Sequence, residues 1–333
     1  MQPEVKNYLD EVSLHLRLDP AIERRIVREL YTDFQDRVAE LQASGLSESD
    51  ATRAASGSLG RPRVIAQRMY EAHSKGSWTE VALASLPHLI IALLFVSHLW
   101  RNPFLAPAAL ALIVGVTLYG WWHGKPSWLY PWIGYSLLPL LIGGYAFRST
   151  IVEAATYLFW GEGSLPSAWV MTLVLALILF SLWIIIRTTI RVVKRDWLLA
   201  SLMLVPLPVV GGWLLNLGGS GGLFQRDMAL LHQLDGPMAL ALICLAATSA
   251  VFIRLRQRVL KFVALLAIGT IAMATVGQYF GGPSGFFGLL VTSLILSAFL
   301  LSPALLEAKV GHGEQRGEAW WQNDWVKERS TKR

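Results

Sequence analysis

The sequence predicts an all-α membrane protein, in which a small cytoplasmic helical bundle precedes a polytopic bundle of about eight transmembrane helices. Of its 333 residues, 54% are hydrophobic and only 16% are charged, and the mean hydropathy is +0.46. Soluble proteins carry about 25% charged residues. A stretch without charge separates Glu162 from Arg187 and is long enough to cross a bilayer. Residues 1–77, by contrast, are rich in charge and patterned for short amphipathic helices. We therefore divide the chain into residues 1–77 (helical domain and linker), 78–306 (transmembrane domain) and 307–333 (a cytoplasmic Trp-rich basic tail).

Residues 3–73 are predicted to form four short helices. Asp19 gives an N-cap and Pro20 the first position of a long second helix. That helix carries an apolar stripe at helical spacing: Ile22, Ile26, Leu30, Phe34, Val38 and Leu41. The remaining boundaries are predicted from residues that end or start helices: Gly45, Ser47, Leu59, Gly60 and Pro62.

The same boundary residues carry a resemblance to a known family. Gly45-Leu46-Ser47 followed by Ala51 fits the pattern G-x-S-x-x-x-A, and residues 59–66 (LGRPRVIA) fit L-G-x-P-x-x-I-A. Residues of about 4–72 thereby resemble the small bacterial helical domain called HAAS or permease prefix domain. The resemblance implies a domain that precedes multi-span membrane segments and often accompanies PadR-type repressors or ABC-type permeases. It implies no catalytic residues.

Eight apolar runs in the second part of the chain are each long enough to be a membrane span. They cover about residues 79–99, 104–122, 128–147, 166–186, 197–217, 237–253, 259–280 and 285–306. Trp128, Pro139 and Gly143 recur at one constant offset as Trp197, Pro208 and Gly212. This spacing indicates either duplicated hairpins or simply the shared composition of membrane segments.

Basic residues predict the orientation of the spans. Nine of them lie in three connections that can share one side, at Lys125, residues 187–195 and residues 254–261. The opposite side holds only Arg101, Arg148 and Arg226. The positive-inside rule therefore predicts a multi-pass protein with both termini in the cytoplasm. The resemblance to the bacterial prefix-domain family implies that the membrane is the bacterial inner membrane.

Two outer connections, at residues 148–165 and 218–236, are longer than a turn requires and contain amphipathic pieces. If a cavity faces outward, its polar lining is predicted to come from these segments: Arg148, Glu153, Arg226, Asp227, His232 and Asp235. The alternative is that they are interfacial spacers with solvated charges.

Residues that could perform chemistry are scarce. His88 is the clearest polar residue within a span, and it is either a functional group or a hydrogen-bonded packing residue. Cys244 is the single cysteine, so the chain can form neither an internal disulfide nor a cysteine zinc cluster. The chain contains no HExxH, GxSxG, P-loop or GxGxxG motif. The sequence therefore predicts a protein that is not an enzyme and has no cofactor and no metal ion.

The expected function is that of a signalling or regulatory component whose N-terminal domain binds a cytoplasmic protein. Membrane lipid and a regulator or ATP-binding subunit are the expected partners, and no direct contact with nucleic acid is expected. The candidate partner surfaces are the basic face of the second helix and the tail: Arg24, Arg25, Arg28, Trp320, Trp321 and Trp325. One alternative is a transporter or permease-like subunit with a cavity between repeated hairpins, gated near Gly143-Gly144 and Gly211-Gly212. The other is a structural subunit of a larger membrane complex.

Overall fold

The computed structural model describes residues 3–162, 165–219, 228–277 and 286–310, and within these ranges every regular element is an α-helix. The helices are α1 (Pro3–Leu16), α2 (Pro20–Ala43), α3 (Glu48–Ser58), α4 (Pro62–His73), α5 (Trp78–Val96), α6 (Leu105–Trp122), α7 (Leu129–Ser136), α8 (Leu138–Ala146), α9 (Arg148–Trp160), α10 (Ala168–Val193), α11 (Trp197–Leu204), α12 (Pro206–Gly219), α13 (Met228–Arg254), α14 (Arg258–Gly277) and α15 (Phe286–Val310). The predicted all-α class is confirmed for the described part of the chain.

The first four helices, here called the head, pack around a hydrophobic core of their own. α1 packs on α4, and α2 packs on α1 and α3. Their fully or nearly buried side chains are Val5, Leu9, Val12 and Leu16 from α1, Ile26, Val27, Leu30 and Phe34 from α2, Ala55 from α3, and Ala66 and Tyr70 from α4, with Leu18 from the α1–α2 turn. These positions recur at three- and four-residue intervals, so each helix turns one apolar face inward.

The helix boundaries in the head follow its capping residues. Ser47 accepts a hydrogen bond from the Asp50 N–H at 3.2 Å and so caps α3. Gly45 and Gly60 have φ angles of +98° and +81°, a conformation that glycine adopts at little cost after a helix. Asp19 has the extended backbone of an N-cap, yet its carboxylate makes no capping bond to α2. Asp19 is therefore the N-cap residue of α2, as predicted, and its carboxylate bonds to other partners.

Seven helical segments are long and apolar enough to cross a membrane. They are Trp78–Val96, Leu105–Trp122, Ala168–Val193, Trp197–Gly218, His232–Arg254, Arg258–Val276 and Leu290–Lys309, all within the described ranges. The segment Leu129–Ala146 meets α9 at a bend of 42°, and counting this pair as one span gives eight. Since Pro139 has no N–H and restricts the residue before it, the helix is interrupted at Leu137 between α7 and α8.

One predicted boundary is wrong. The sequence suggested that an outer connection extends to residue 236 and that a span begins after Pro237. Instead, α13 continues through Pro237 without interruption from Met228 to Arg254. Membrane helices tolerate an internal proline because neighbouring groups satisfy the freed carbonyl. His232 and Asp235 consequently belong to the helix that forms the span.

Contacts between distant residues show which turns lie together. The head touches three turns of the bundle and the last turn of α15, and we call this side the head end. The contacting pairs are Asp19 with Ser127 and Arg195, Ser74 with Arg256, and Arg17 with Glu307. At the opposite side, here called the far end, the turn after α5 meets the start of α13 through His98 and Asp235.

The core of the bundle is built around α5, α7, α11 and α13. α5 and α13 pack along their length, and the Ser85 hydroxyl donates to the Ala246 carbonyl at 3.1 Å. α7 contributes three buried aromatic side chains, Tyr130, Trp132 and Tyr135. α7 and α11 approach so closely that a Cβ added at Gly134 would lie 2.1 Å from the Met203 carbonyl oxygen. Only a glycine fits this contact.

α10 lies at the periphery of the bundle. Of its 26 residues, only Val174, Thr189, Val192 and Val193 are buried, and three of these lie in its last turns. The leucine, phenylalanine and tryptophan side chains of α10 are exposed, as is Ile186. In a membrane protein such a face contacts lipid.

Candidate functional site

The head and the bundle meet at a buried group of charges, which we call the junction: Arg17, Asp19, Arg195, Asp196, Arg258, Lys261 and Glu307. Arg17 and Asp19 come from the turn between α1 and α2, and the others come from the head-end turns and helix ends of the bundle. Arg17 has a φ of +49°, which is uncommon for a residue other than glycine. The α1–α2 turn thus directs charged side chains toward the bundle.

Asp19 joins the head to two turns of the bundle. Its Oδ1 accepts a hydrogen bond from Arg195 Nη2 at 2.5 Å and from the Ser127 hydroxyl at 2.7 Å. Arg195 also donates to the Tyr130 hydroxyl at 2.7 Å and to the Lys125 carbonyl. Both charged side chains are only 16% exposed. The Asp19 carboxylate therefore forms an ion pair between two parts of the fold rather than a capping hydrogen bond.

Asp196 is the centre of a second set of contacts. Arg258 donates to both of its oxygens, at 2.6 and 2.9 Å, which is the paired geometry that a guanidinium favours with a carboxylate. Asp196 also accepts from the Leu198 N–H at 3.1 Å and so caps α11. Arg17 lies 4.0 Å from Asp196 and 3.4 Å from Glu307. The head thus contributes a cation to a group centred on a bundle carboxylate.

The charges of the junction shift one another's pKa. Burial raises the pKa of Asp196, but Arg258 and Arg17 outweigh it and leave the pKa below its usual value. Burial lowers the pKa of Arg195, whereas Tyr130 and Asp19 raise it, and the net shift is upward. Asp196 and Arg195 are therefore ionised at neutral pH, and opposite charges compensate each other at side chains that have lost most of their contact with solvent.

Lys261 lies beside a small cavity at the junction. Its side chain is 6% exposed, and its Nζ lies 5.2 Å from the ring centre of Tyr70 and 5.0 Å from that of Phe252. The cavity has a volume of about 60 Å³, and its wall includes Arg17 and His73 from the head. A space of this size holds several water molecules. Movement of the head would therefore change the surroundings of a buried ammonium group.

The linker between α4 and α5 is held against the end of α13. The Gly76 N–H donates to the Ile253 carbonyl at 2.9 Å, and Arg254 donates to the Gly76 carbonyl at 3.2 Å. The Ser74 hydroxyl donates to the Arg256 carbonyl at 3.0 Å. Ser77 and Glu80 then form a capping box at the start of α5. The linker between α4 and α5 is therefore short, and hydrogen bonds from Ser74 and Gly76 attach it to the bundle.

Sequence reasoning did not find the junction. Asp19 was interpreted only as a helix cap, and Arg17 and Asp196 were assigned no role. The sequence did contain a signal for Asp196. It directly follows the basic stretch of residues 187–195, and neither this stretch nor residues 254–261 contain another acidic residue. An acid among so many bases, next to a membrane surface, indicates a specific cationic partner.

The predicted outer residues are found in separate places. His232 and Asp235 lie together at the far end, where Asp235 is 1% exposed. Its oxygens contact His98 Nδ1 at 2.5 Å and Trp100 Nε1 at 2.8 Å, and the His98 and His232 rings stack at 4.1 Å. A metal ion could be held here, since one ligand atom from each of His98, His232 and Asp235 lies within 4.8 Å of the others.

The remaining candidates for the outer lining are not part of that group. Arg148 lies close to Gly218 and donates to the Tyr145 hydroxyl at 3.4 Å. Glu153 is exposed on α9. Arg226 and Asp227 fall outside the described residues.

His88 is completely buried in the bundle and bonded on both sides of its ring. Nδ1 lies 2.8 Å from the Tyr135 hydroxyl and Nε2 lies 2.7 Å from the Ser249 hydroxyl. His88 therefore connects α5 with α7 and α13. This geometry suits the interpretation of His88 as a hydrogen-bonded packing residue.

Of the two candidate partner surfaces, the basic face of α2 lies within the described residues. Arg24, Arg25 and Arg28 are exposed on α2. Trp320, Trp321 and Trp325 lie outside the described residues.

The chain matches no protein-family model, no curated protein and no solved structure. The resemblance of residues 4–72 to the prefix-domain family thus stays a prediction, and the arguments for function come from the geometry of the molecule.

Proposed function

We propose that this protein is a signalling or regulatory component of the bacterial inner membrane that acts without catalysis. The head lies in the cytoplasm, and its position on the bundle controls its binding to a soluble protein. The observation that carries the proposal is the partly buried ion pair between Asp19 of the head and Arg195 of the bundle.

The distribution of charge supports the orientation. The turns that contact the head include the basic connections, with Lys125, Arg195 and Arg258 among their residues. By the positive-inside rule these turns face the cytoplasm, and the head that touches them shares that compartment. The end of α15 meets the head through Glu307, which favours a cytoplasmic position for the tail as well.

The chemistry of the junction supports a switchable contact. Its main bonds are ionic, whereas the cores of the head and of the bundle form separate apolar clusters. Buried ion pairs are costly to break singly, but their net stabilisation is small because both charges must lose water. A contact of this kind favours one position of the head without fixing it as an apolar interface would.

Two connections can transmit a change from the bundle to the head. One is the linker, which is bonded to the end of α13 and continues directly into α5. The other is the α1–α2 turn, held by the turns before α7 and α11 through Asp19. A displacement of α5 and α13 relative to α11 would therefore strain the contact of the head.

Charge exchange tests the proposal. Asp19→Arg and Arg195→Asp should each release the head, and the double variant should restore its docking because the pair is re-formed with opposite sign. Hydrogen exchange in α1 and at the start of α2, measured on the full chain in detergent or nanodiscs, reports docking. Arg37→Glu is the matched control, because the ion pair that the described residues show for Arg37 is with exposed Glu40 of the same helix.

The same variants test the output. A cytoplasmic partner that copurifies with the intact protein should be recovered in a different amount with Asp19→Arg, and in the usual amount with the double exchange. Deletion of residues 1–73 should abolish the binding. If the deletion leaves partner binding intact, the head is not the output module and the proposal fails.

A transporter or permease-like subunit is the second candidate. Two interrupted helices favour it, since α7 with α8 and α11 with α12 are both broken next to a proline and lie against each other. Transporters often bind substrate at such breaks. Here the close approach at Gly134 fills the space between α7 and α11, so we rank regulation first. If proteoliposomes that contain the protein take up a substrate, transport becomes the first candidate and regulation the second.

A further inference from the structure

Three side chains converge at the far end of the bundle, remote from the junction. His232 and Asp235 are three residues apart and lie on one face of the first turns of α13. His98 reaches them from the turn after α5, and its Nδ1 lies 2.5 Å from Asp235 Oδ2. The ligand atoms of all three residues lie within 4.8 Å of one another.

The backbone holds His98 in an unusual conformation. Its φ is +57°, in the left-handed region that residues with a Cβ enter only at a cost. The His98 N–H donates to the Phe95 carbonyl at 3.0 Å, which fixes the turn that ends α5. A relaxed helical conformation at this position would direct the imidazole elsewhere. The backbone of His98 is therefore strained in the conformation that directs its imidazole ring toward Asp235.

Asp235 is oriented by a second residue. Trp100 Nε1 donates to its Oδ1 at 2.8 Å, which leaves Oδ2 directed toward His98. Carboxylates that bind metal ions are commonly held in this way by a hydrogen bond to the oxygen that does not bind. Asp235 is 1% exposed, whereas the His98 side chain is 47% exposed, so a buried carboxylate adjoins an opening to solvent.

We propose that His98, His232 and Asp235 form a binding site for a divalent transition-metal ion of the Zn²⁺ class. Two imidazole nitrogens and one carboxylate oxygen are donors that Zn²⁺ accepts, and three protein ligands leave a fourth position for water or another ligand. This site is independent of the proposed function, because it concerns the opposite end of the bundle and is tested by a different measurement.

The rearrangement that a metal ion requires is small. In a tetrahedral site with bonds of about 2.0–2.1 Å, ligand atoms are about 3.3 Å apart. The His98 and Asp235 atoms must separate from 2.5 Å, and the widest pair must close from at most 4.8 Å. The two stacked rings, inclined by 15°, must also rotate apart so that both nitrogens face one point. We expect changes of side-chain torsion to achieve this, since the three ligand atoms already lie within 4.8 Å of one another.

Metal titration of the full chain tests the site. The protein, purified without a polyhistidine tag and stripped with a chelator, should bind one Co²⁺ with the visible absorption of tetrahedral coordination, and Zn²⁺ should displace it. The double variant His98→Ala with His232→Ala should bind at least about 100-fold more weakly, and Trp100→Phe about 10-fold more weakly. His123→Ala is the matched control, because His123 is an exposed histidine that contacts its own helix at Tyr119.

Thermal unfolding of each variant separates loss of the site from loss of the fold. Asp235 is buried, so Asp235→Asn can destabilise the whole protein. The decisive result therefore comes from the variant of the exposed His98 and the half-buried His232. Absence of stoichiometric Co²⁺ and Zn²⁺ binding would overturn the proposal. Binding that persists in a folded double-histidine variant would overturn it equally.

Discussion

Replacement of Asp196 by Asn measures what the junction contributes to stability. Asp196 is 4% exposed and accepts two hydrogen bonds from Arg258. Removal of one partner of a buried ion pair costs about 3–5 kcal/mol, because the other charge is left without compensation. Asn can still accept from the Leu198 N–H and thus keep the cap of α11, so we expect the lower end, about 3 kcal/mol.

Hydrogen exchange provides the assay. A loss of about 3 kcal/mol corresponds to a roughly hundredfold increase in the opening of the α1–α2 turn and the start of α11. Asp196→Ala should cost about 1 kcal/mol more, because it also removes the cap. Arg37→Gln, at a pair whose side chains are 57% and 67% exposed, is the control and should cost less than about 1 kcal/mol. If Asp196→Asn costs no more than this control, the reasoning about the junction is refuted.

Two further predictions follow from described contacts. Since the pKa of folded Asp196 is below its unfolded value of about 3.9, its stabilisation should be complete at neutral pH and be lost only as the pH falls through the folded pKa; acid titration of docking should show a larger loss in the wild type than in Asp196→Asn. Gly134→Ala should destabilise the bundle strongly, because its Cβ would collide with the backbone of α11, whereas Gly143→Ala, whose Cβ meets nothing within 4 Å, should be neutral or stabilising. Thermal unfolding in one detergent compares the two glycine variants, and equal melting temperatures would contradict the close contact.

The elements of this fold could be predicted because their signals are local. The apolar stripe of α2, the positive φ at Gly45 and Gly60, and the cap at Ser47 each depend on residues within one or two turns. Long apolar runs likewise identify spans, since a bilayer requires a fixed length.

The junction and the far-end group could not be predicted because they join residues that are distant in sequence. Asp19 and Arg195 are 176 residues apart, and His98 and Asp235 are 137 apart. Nothing local marks these residues as partners. The predicted start of a span after Pro237 was wrong for another reason. A proline usually interrupts a helix in a soluble protein, but Pro237 lies within the continuous α13.

The length of α10 relates the junction to membrane thickness. Its 26 residues span about 39 Å at 1.5 Å per residue, whereas the hydrocarbon layer measures about 30 Å. An upright α10 would therefore extend about six residues beyond the acyl chains, and Arg187 and Arg191 would lie among the lipid phosphates. Because Val192 and Val193 are packed in the bundle just before the Arg195 turn, a thicker bilayer would draw the helix inward and pull on the residue that holds Asp19.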